Sequence, residues 1–265
     1  MKNKFLITLL VPLLIFCFSK DLHSKNFTFE SDSIEIKKNG NLIIGKDGVK
    51  VFVENNIEIN SDESFYDKIT QLLLLKGNVI LHDKEKDIKI LSNNIEYDKL
   101  NEVIVSSGET IIYVGNDYVI NSSNIKYLRK KNIVQSFDIS ELRDKLKNQV
   151  NVDEFIYQTD IKIFKSKNIN LIDEEKHTYN FEQSMIDLNK KEIIGKDIVI
   201  NFSKDTFNNT ENDPRLKGNY GKSNENETII KNGIFTTCKK NDSCPPWTLK
   251  SAEIKHDKKK KIYNL

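Results

Sequence analysis

An excess of charge of either sign is missing from this sequence: 41 Lys and Arg stand against 39 Asp and Glu in 265 residues, a net charge of +2. Phosphate binding normally shows as a localised basic excess, so nucleic acid is not an expected partner. Histidine is equally sparse. His23, His82, His177 and His256 lie far apart in turn or flanking positions, where a lone imidazole is more often solvated than ligating or catalytic. Neither a phosphate-binding glycine loop nor a nucleophile elbow occurs. Carboxylates are plentiful, yet no spacing singles out an acid–base pair. The expectation is a protein that is not an enzyme and uses no metal or cofactor. Glycine and proline are scarce at 10 and 4, while Lys, Asn and Ile are used heavily, which reads as coding bias as much as function.

Long hydrophobic runs are also absent. The apolar stretch from Phe5 to Phe18 is shorter than the roughly 20 residues that span a bilayer, but behind Lys2 and Lys4 it fits the core of a signal peptide. With no A-x-A site, Ser24 is taken as the last residue of the signal, so residues 1–24 are predicted to be removed and the chain exported. A retained N-terminal anchor is the alternative. Cys17 lies inside the run and lacks the small residues that precede a lipidated cysteine. Cys238 and Cys244 remain, and an even pair in an exported protein points to a disulfide. A zinc site shared with His256 fits less well, because C-x5-C is an unusual spacing and a fourth ligand is missing.

What is present is a repeat. Tyr66, Tyr97 and Tyr127 recur at about thirty residues, and between them Gly48-Val49, Gly77-Asn78-Val79 and Gly108-Glu109-Thr110 each open a β-branched run. Such a period means a unit that cannot bury its apolar face alone. Alternation at Ile34–Lys37, Val49–Glu54, Ile57–Asn60 and Ile88–Ile90 is that of strands with one buried face. Polar clusters at Lys37–Gly40, Glu54–Asn56, His82–Asp87 and Gly115–Asp117 separate them. Leu72–Leu75 and Ile111–Val114 are apolar on both faces. Short strands with frequent turns predict an all-β fold: a sandwich, jelly roll or solenoid.

After residue 138 the pattern breaks. Ser140–Lys147 reads either as a turn or two of helix, with Ser140 as N-cap, or as a charged loop. Strands resume from 154, and the passage from Met185 to Ile200 repeats the earlier unit. The repeats at 29–138 and their continuation at 150–202 are therefore one domain, 25–202. Residues 203–227 are expected to be a loop, and 228–265 to hold linker strands. The Lys258–Lys261 run reads as a solvated hairpin turn. An open sheet with a regular apolar face and no catalyst needs a hydrophobic guest or a partner.

The repeat units, of the form Ile95-Glu96-Tyr97-Asp98-Lys99 followed by Gly-x-Val, resemble the OstA-type domain shared by the periplasmic bridge proteins and the outer-membrane protein of lipopolysaccharide transport. Further on, Asp213-Pro214-Arg215-Leu216-Lys217-Gly218, Gly233–Cys238 and Cys244–Asp257 resemble the part of the LptD family that joins its periplasmic domain to its barrel. The likeness runs over nearly the whole chain beyond residue 24. It implies an open jelly roll of repeated antiparallel strands, a V-shaped β-taco, whose interior receives lipopolysaccharide acyl chains at the periplasmic face of the Gram-negative outer membrane. It also implies an LptA-like bridge protein added to the first edge strand, around Phe27–Ile36, and an LptE-like lipoprotein only where a barrel is present. The family's barrel is absent from this sequence. Some members tie periplasmic cysteines to the barrel, so Cys238 and Cys244 pair with each other or with a missing partner. Candidate groove residues are Val49, Val51, Val53, Ile57, Ile59, Val79, Leu81, Ile88, Ile90, Val103, Val105, Val119 and Ile169, although alternation alone does not tell which face is inside. The competing readings are a free LptA-like bridge, a secreted parallel β-helix acting on polysaccharide, and a structural adhesin.

Overall fold

The computed structural model describes residues 27–53, 56–145, 149–173, 175–207, 211–240, 247–260 and 262–264. The predicted signal peptide and Cys244 lie outside these residues. Among them 21 strands form one sheet in a single antiparallel meander. Every pairing is antiparallel, so a parallel β-helix is overturned as an architecture. Side chains of successive strands therefore line up as straight rows across the sheet.

The rows explain the period. Tyr66 faces Leu73, Leu73 faces Tyr97, Tyr97 faces Ile104, Ile104 faces Tyr127, Tyr127 faces Val134 and Val134 faces Tyr157. A tyrosine thus returns on every second strand, each strand with its turn taking about fifteen residues. A second row runs Val51, Ile59, Leu81, Ile90, Ile112, Ile120, Leu142, Val150.

Each long strand is broken near its middle, and the breaks align. The backbone passes through Gly48, Asp62, Gly77, Asn94, Gly108 and Asn124, where Gly48 N–H donates to Asp62 O at 3.3 Å, Asp62 N–H to Gly77 O at 3.0 Å and Asn124 N–H to Gly108 O at 3.4 Å. Several of these corners have a left-handed backbone: Gly77 has φ 73°, Asn78 φ 46°, Asn124 φ 50° and Asn168 φ 49°. Asparagine accepts this conformation at lower cost than other side chains, so the abundance of Asn and the shortage of Gly are two sides of one solution. The corner asparagines also bond the next corner: Asn78 Nδ2 donates to Asp62 Oδ2 at 2.9 Å, Asn124 Nδ2 to Asp138 Oδ2 at 2.8 Å and Asn168 Nδ2 to Asp153 Oδ2 at 2.7 Å.

Folding every strand along one line creates two half-sheets that face each other and share one core. Their free ends are two rims of stacked hairpin turns. On the rim beside the tyrosines, Lys99 N–H donates to Gln71 O at 3.1 Å, Arg129 N–H to Glu102 O at 3.1 Å and Thr159 N–H to Asn132 O at 2.9 Å. Aspartates hold these turns from within: Asp67 Oδ1 accepts from Ile69 and Thr70 N–H, and Asp187 Oδ1 from Asn189 and Lys190 N–H.

Two expectations are corrected. Ser140–Asp144 is a strand, not helix or loop; its Ser140 and Leu142 are buried and pair with Val152 and Val150, and this pairing overrides the local capping signal. Within the stretch expected to be loop, Arg215–Ser223 is a strand paired on both sides. Its Gly218 and Gly221 lower its apparent strand character, but each lies against Ile198 and Ile230, where a Cβ has no room. The sheet consequently runs unbroken from Phe27 into the final strands.

Candidate lipid-handling interior

The space between the half-sheets has a floor, two walls and a mouth. The floor, inside the line of corners, is lined by small hydroxyl residues. Ser64, Ser106, Thr110, Ser122, Ser136 and Ser140 are all buried. Thr110 Oγ1 donates to Ser106 Oγ at 2.7 Å, Ser122 and Ser140 share a hydroxyl hydrogen bond of 2.6 Å, and Ser106 Oγ accepts from Ile125 N–H at 3.1 Å. Small side chains let the two half-sheets converge, and Ser106 Oγ satisfies a backbone group that the bend removes from the ladder, whereas Ser64 Oγ is buried without a hydrogen-bond partner among the described residues. The sequence reading passed over these residues because Ser among polar neighbours resembles a turn.

The walls are the aliphatic rows. Of the thirteen candidate residues, Val49, Val51, Val53, Ile57, Ile59, Val79, Leu81, Ile88, Ile90 and Ile169 point inward and are buried. Val103, Val105 and Val119 do not share that face. Each is half-buried on the outer surface, while Ile104 and Ile120 beside them point inward. One residue of register exchanges the faces of a strand: the buried set keeps its parity across Gly108, from Ile104 and Ser106 to Thr110 and Ile112, but changes it across Asn124, from Ile120 and Ser122 to Ile125 and Tyr127. Leu72–Leu75 and Ile111–Val114 likewise bury one face only, with Leu74 and Ile111 each 36% exposed.

Tyr66, Tyr97, Tyr127 and Tyr157 stand near the mouth, all buried. Phe27, on the first strand, packs edge-on against Tyr66 at 4.8 Å and Tyr97 at 5.7 Å, with the Lys99 ammonium 5.1 Å above its ring. A charged cluster joins the rims farther along. Arg129 Nε donates to Asp83 Oδ2 at 2.7 Å, its terminal nitrogens to Glu85 Oε2 at 2.7 Å and Glu102 Oε2 at 3.2 Å, and Tyr127 Oη to Asp83 Oδ2 at 2.8 Å. Asp83 is completely buried and Arg129 nearly so. Burial alone would push Arg129 toward the neutral form, but Asp83, then Glu102 and Glu85, outweigh it and hold the guanidinium more firmly charged than usual. Burial and the Asp83 charge raise the Tyr127 hydroxyl far above its ordinary value, so it is a permanent donor.

The interior is filled by the protein's own side chains. A cavity within it, beside Phe202, Ile230 and His256, admits about 10 Å³, about the space of one water, and a wider, open pocket of about 400 Å³ lies beside Phe137, Phe155, Ile156, Met185 and Tyr220.

Residues 16–129 match the family model described as OstA-like protein. The matched span takes in the first half of the folded sheet, up to Arg129, and is narrower than the likeness read from the sequence. The solved structure of LptH, the LptA homologous periplasmic component of the conserved lipopolysaccharide transport device from Pseudomonas aeruginosa, is 20% identical. It covers 43% of this chain and 83% of that one, with a TM-score of 0.38. No curated protein matches the chain.

Toward the C-terminus, Cys238 is buried and its Sγ lies 3.8 Å from the Trp247 carbonyl oxygen. The disulfide expected with Cys244 falls outside the described residues. Thr236 Oγ1 donates to the same carbonyl at 2.9 Å, and the Trp247 ring lies 6.0 Å from Phe235. His256 is held below its ordinary value by burial first and then by Lys258 and His177, against the opposing pull of Glu175.

Proposed function

We propose that the protein is a non-enzymatic carrier of lipopolysaccharide in the periplasm, holding acyl chains between its half-sheets and passing them toward an outer-membrane barrel of LptD type. The observation that carries this reading is the buried apolar row that crosses each strand of the meander from Val51 to Val150 without a charged residue. The OstA-like match over residues 16–129 supports it. Each methylene removed from water is worth about 0.8 kcal/mol, so a chain of a dozen carbons resists crossing water by roughly 10 kcal/mol. A continuous apolar interior removes that barrier.

Partners follow from the edges. The strand Phe27–Lys37 pairs with Leu42–Val53 on one side, and its other edge suits strand addition by an LptA-like bridge protein. A free LptA-like bridge is the second reading, favoured by the unbroken meander; the Cys238–Trp247 segment favours the LptD type, in which an LptE-like lipoprotein accompanies the barrel.

The test is a titration of the protein into lipopolysaccharide bearing an environment-sensitive fluorophore on an acyl chain. The reading expects a saturable blue shift, reversed by unlabelled lipopolysaccharide but not by its polysaccharide freed of lipid A. Reversal by the polysaccharide alone, or no shift, rejects it.

A further inference from the structure

We propose that the Arg129 cluster is a gate, which holds the mouth of the folded sheet shut and parts its rims to admit a lipid chain; this rests on the lipid-carrying reading above. Arg129 belongs to the turn at 129–132 on the rim beside the tyrosines, whereas Asp83 and Glu85 belong to the opposite rim. The bonds between them, with that of Tyr127 to Asp83, cross the mouth.

Three features make this arrangement a gate and not merely a brace. First, the strand ladders of both half-sheets are complete without it, because Arg129 and Asp83 meet through their side chains alone. Second, both sides keep a partner when the rims separate. Glu102 shares the rim of Arg129 and bonds it at 3.2 Å, while Asp83 Oδ1 accepts from Glu85 and Lys86 N–H on its own turn at 3.2 Å each. Opening therefore leaves neither charge stranded, which is the usual reason a buried pair cannot be broken. Third, the backbone joins the two half-sheets only along the line of corners, so movement about that line is largest at the rims. A buried ion pair specifies geometry more than it adds stability, and the geometry specified here is closure.

The experiment measures the rims directly. Spin labels on Lys84→Cys and Lys131→Cys, with the native cysteines replaced by serine, report the distance across the mouth. In the same proteins, lipid A carrying a diazirine on an acyl chain reports entry. Arg129→Gln with Asp83→Asn removes the charges while keeping hydrogen-bonding groups. The gate predicts a distribution extended to longer distances and about tenfold faster photolabelling, equivalent to 1.4 kcal/mol of lost closure. Arg129→Lys, which keeps the charge but loses the fork of donors, is predicted to lie between and carries the test if the double variant does not fold. Unchanged distances in folded variants overturn the gate, as do longer distances with unchanged labelling. If no protein is labelled, the wild type included, the lipid-carrying reading itself fails, whatever the distances show.

Discussion

Replacing Leu81 by alanine and, separately, Val105 by alanine tests which face of the sheet is the interior. Leu81 is completely buried between Ile59 and Ile90 on the flanking strands. Truncation removes three carbons, a transfer loss of about 2.4 kcal/mol at 0.8 kcal/mol per methylene. Both neighbours are β-branched and pinned by the ladder, so the space cannot close fully, and a cavity contribution brings the expected cost to about 3–4 kcal/mol. Val105 is half-buried on the outer face, opposite Glu96 and Lys126. Its loss costs about 1 kcal/mol, most of it strand preference. The difference of about 2–3 kcal/mol appears in urea unfolding as a lower midpoint at unchanged slope, and as roughly 4–12 °C in Tm. A Val105→Ala cost equal to or above that of Leu81→Ala would refute the assignment of faces.

Other outcomes follow from particular residues. A Cβ at Gly195 would overlap the Phe181 ring, so Gly195→Ala is expected to cost about 1–3 kcal/mol, and Phe181→Leu in the same chain to recover part of it in thermal melts. Glu35, hydrogen-bonded by Lys37 at 2.8 Å and Lys46 at 3.0 Å, has its carboxyl lowered from 4.5 to about 2. A depressed carboxylate contributes above its unfolded value and loses that contribution as pH falls from about 4.5 toward 2. NMR titration of Glu35 should therefore show a midpoint near 2, and a midpoint at the ordinary value would contradict the ion pairs. His256 has the same proton balance in a higher pH range: lowered below 6.5 by burial and by Lys258, it binds fewer protons folded than unfolded, so stability declines as pH falls through 6.5. His256→Gln should flatten that part of the pH–stability curve.

Much of the fold was legible because a sheet with one buried face writes its period into the chain. Alternation located the strands at Val49–Val53, Ile57–Asn60 and Ile88–Ile90, and the tyrosine spacing announced a repeated unit. The repeat is two strands long because adjacent antiparallel strands run in opposite directions, so the tyrosine beside one rim comes back only on every second strand. The placement of Val103, Val105 and Val119 was not legible, since alternation marks two faces without saying which is inside, and some corners, such as Asn124, shift it by a residue while Gly108 does not. Ser140–Asp144 was missed for a related reason: its capping serine and its charges speak locally, whereas its strand partners lie at 118–121 and 149–152. The Arg129 cluster lay beyond sequence reasoning because Glu102 becomes its neighbour only through strand pairing and Asp83 only after the sheet is folded along its corners.

The central claim, that acyl chains lie between the half-sheets, is tested most directly by mapping where lipid A with a diazirine in one acyl chain attaches to the unmodified protein. The account predicts mass-spectrometric adducts on Val51, Ile59, Leu81 and Ile90 and on the mouth tyrosines Tyr97 and Tyr127, all suppressed by excess unlabelled lipopolysaccharide. Adducts confined to the outer residues Val103, Val105 and Val119, or insensitive to competition, would contradict it.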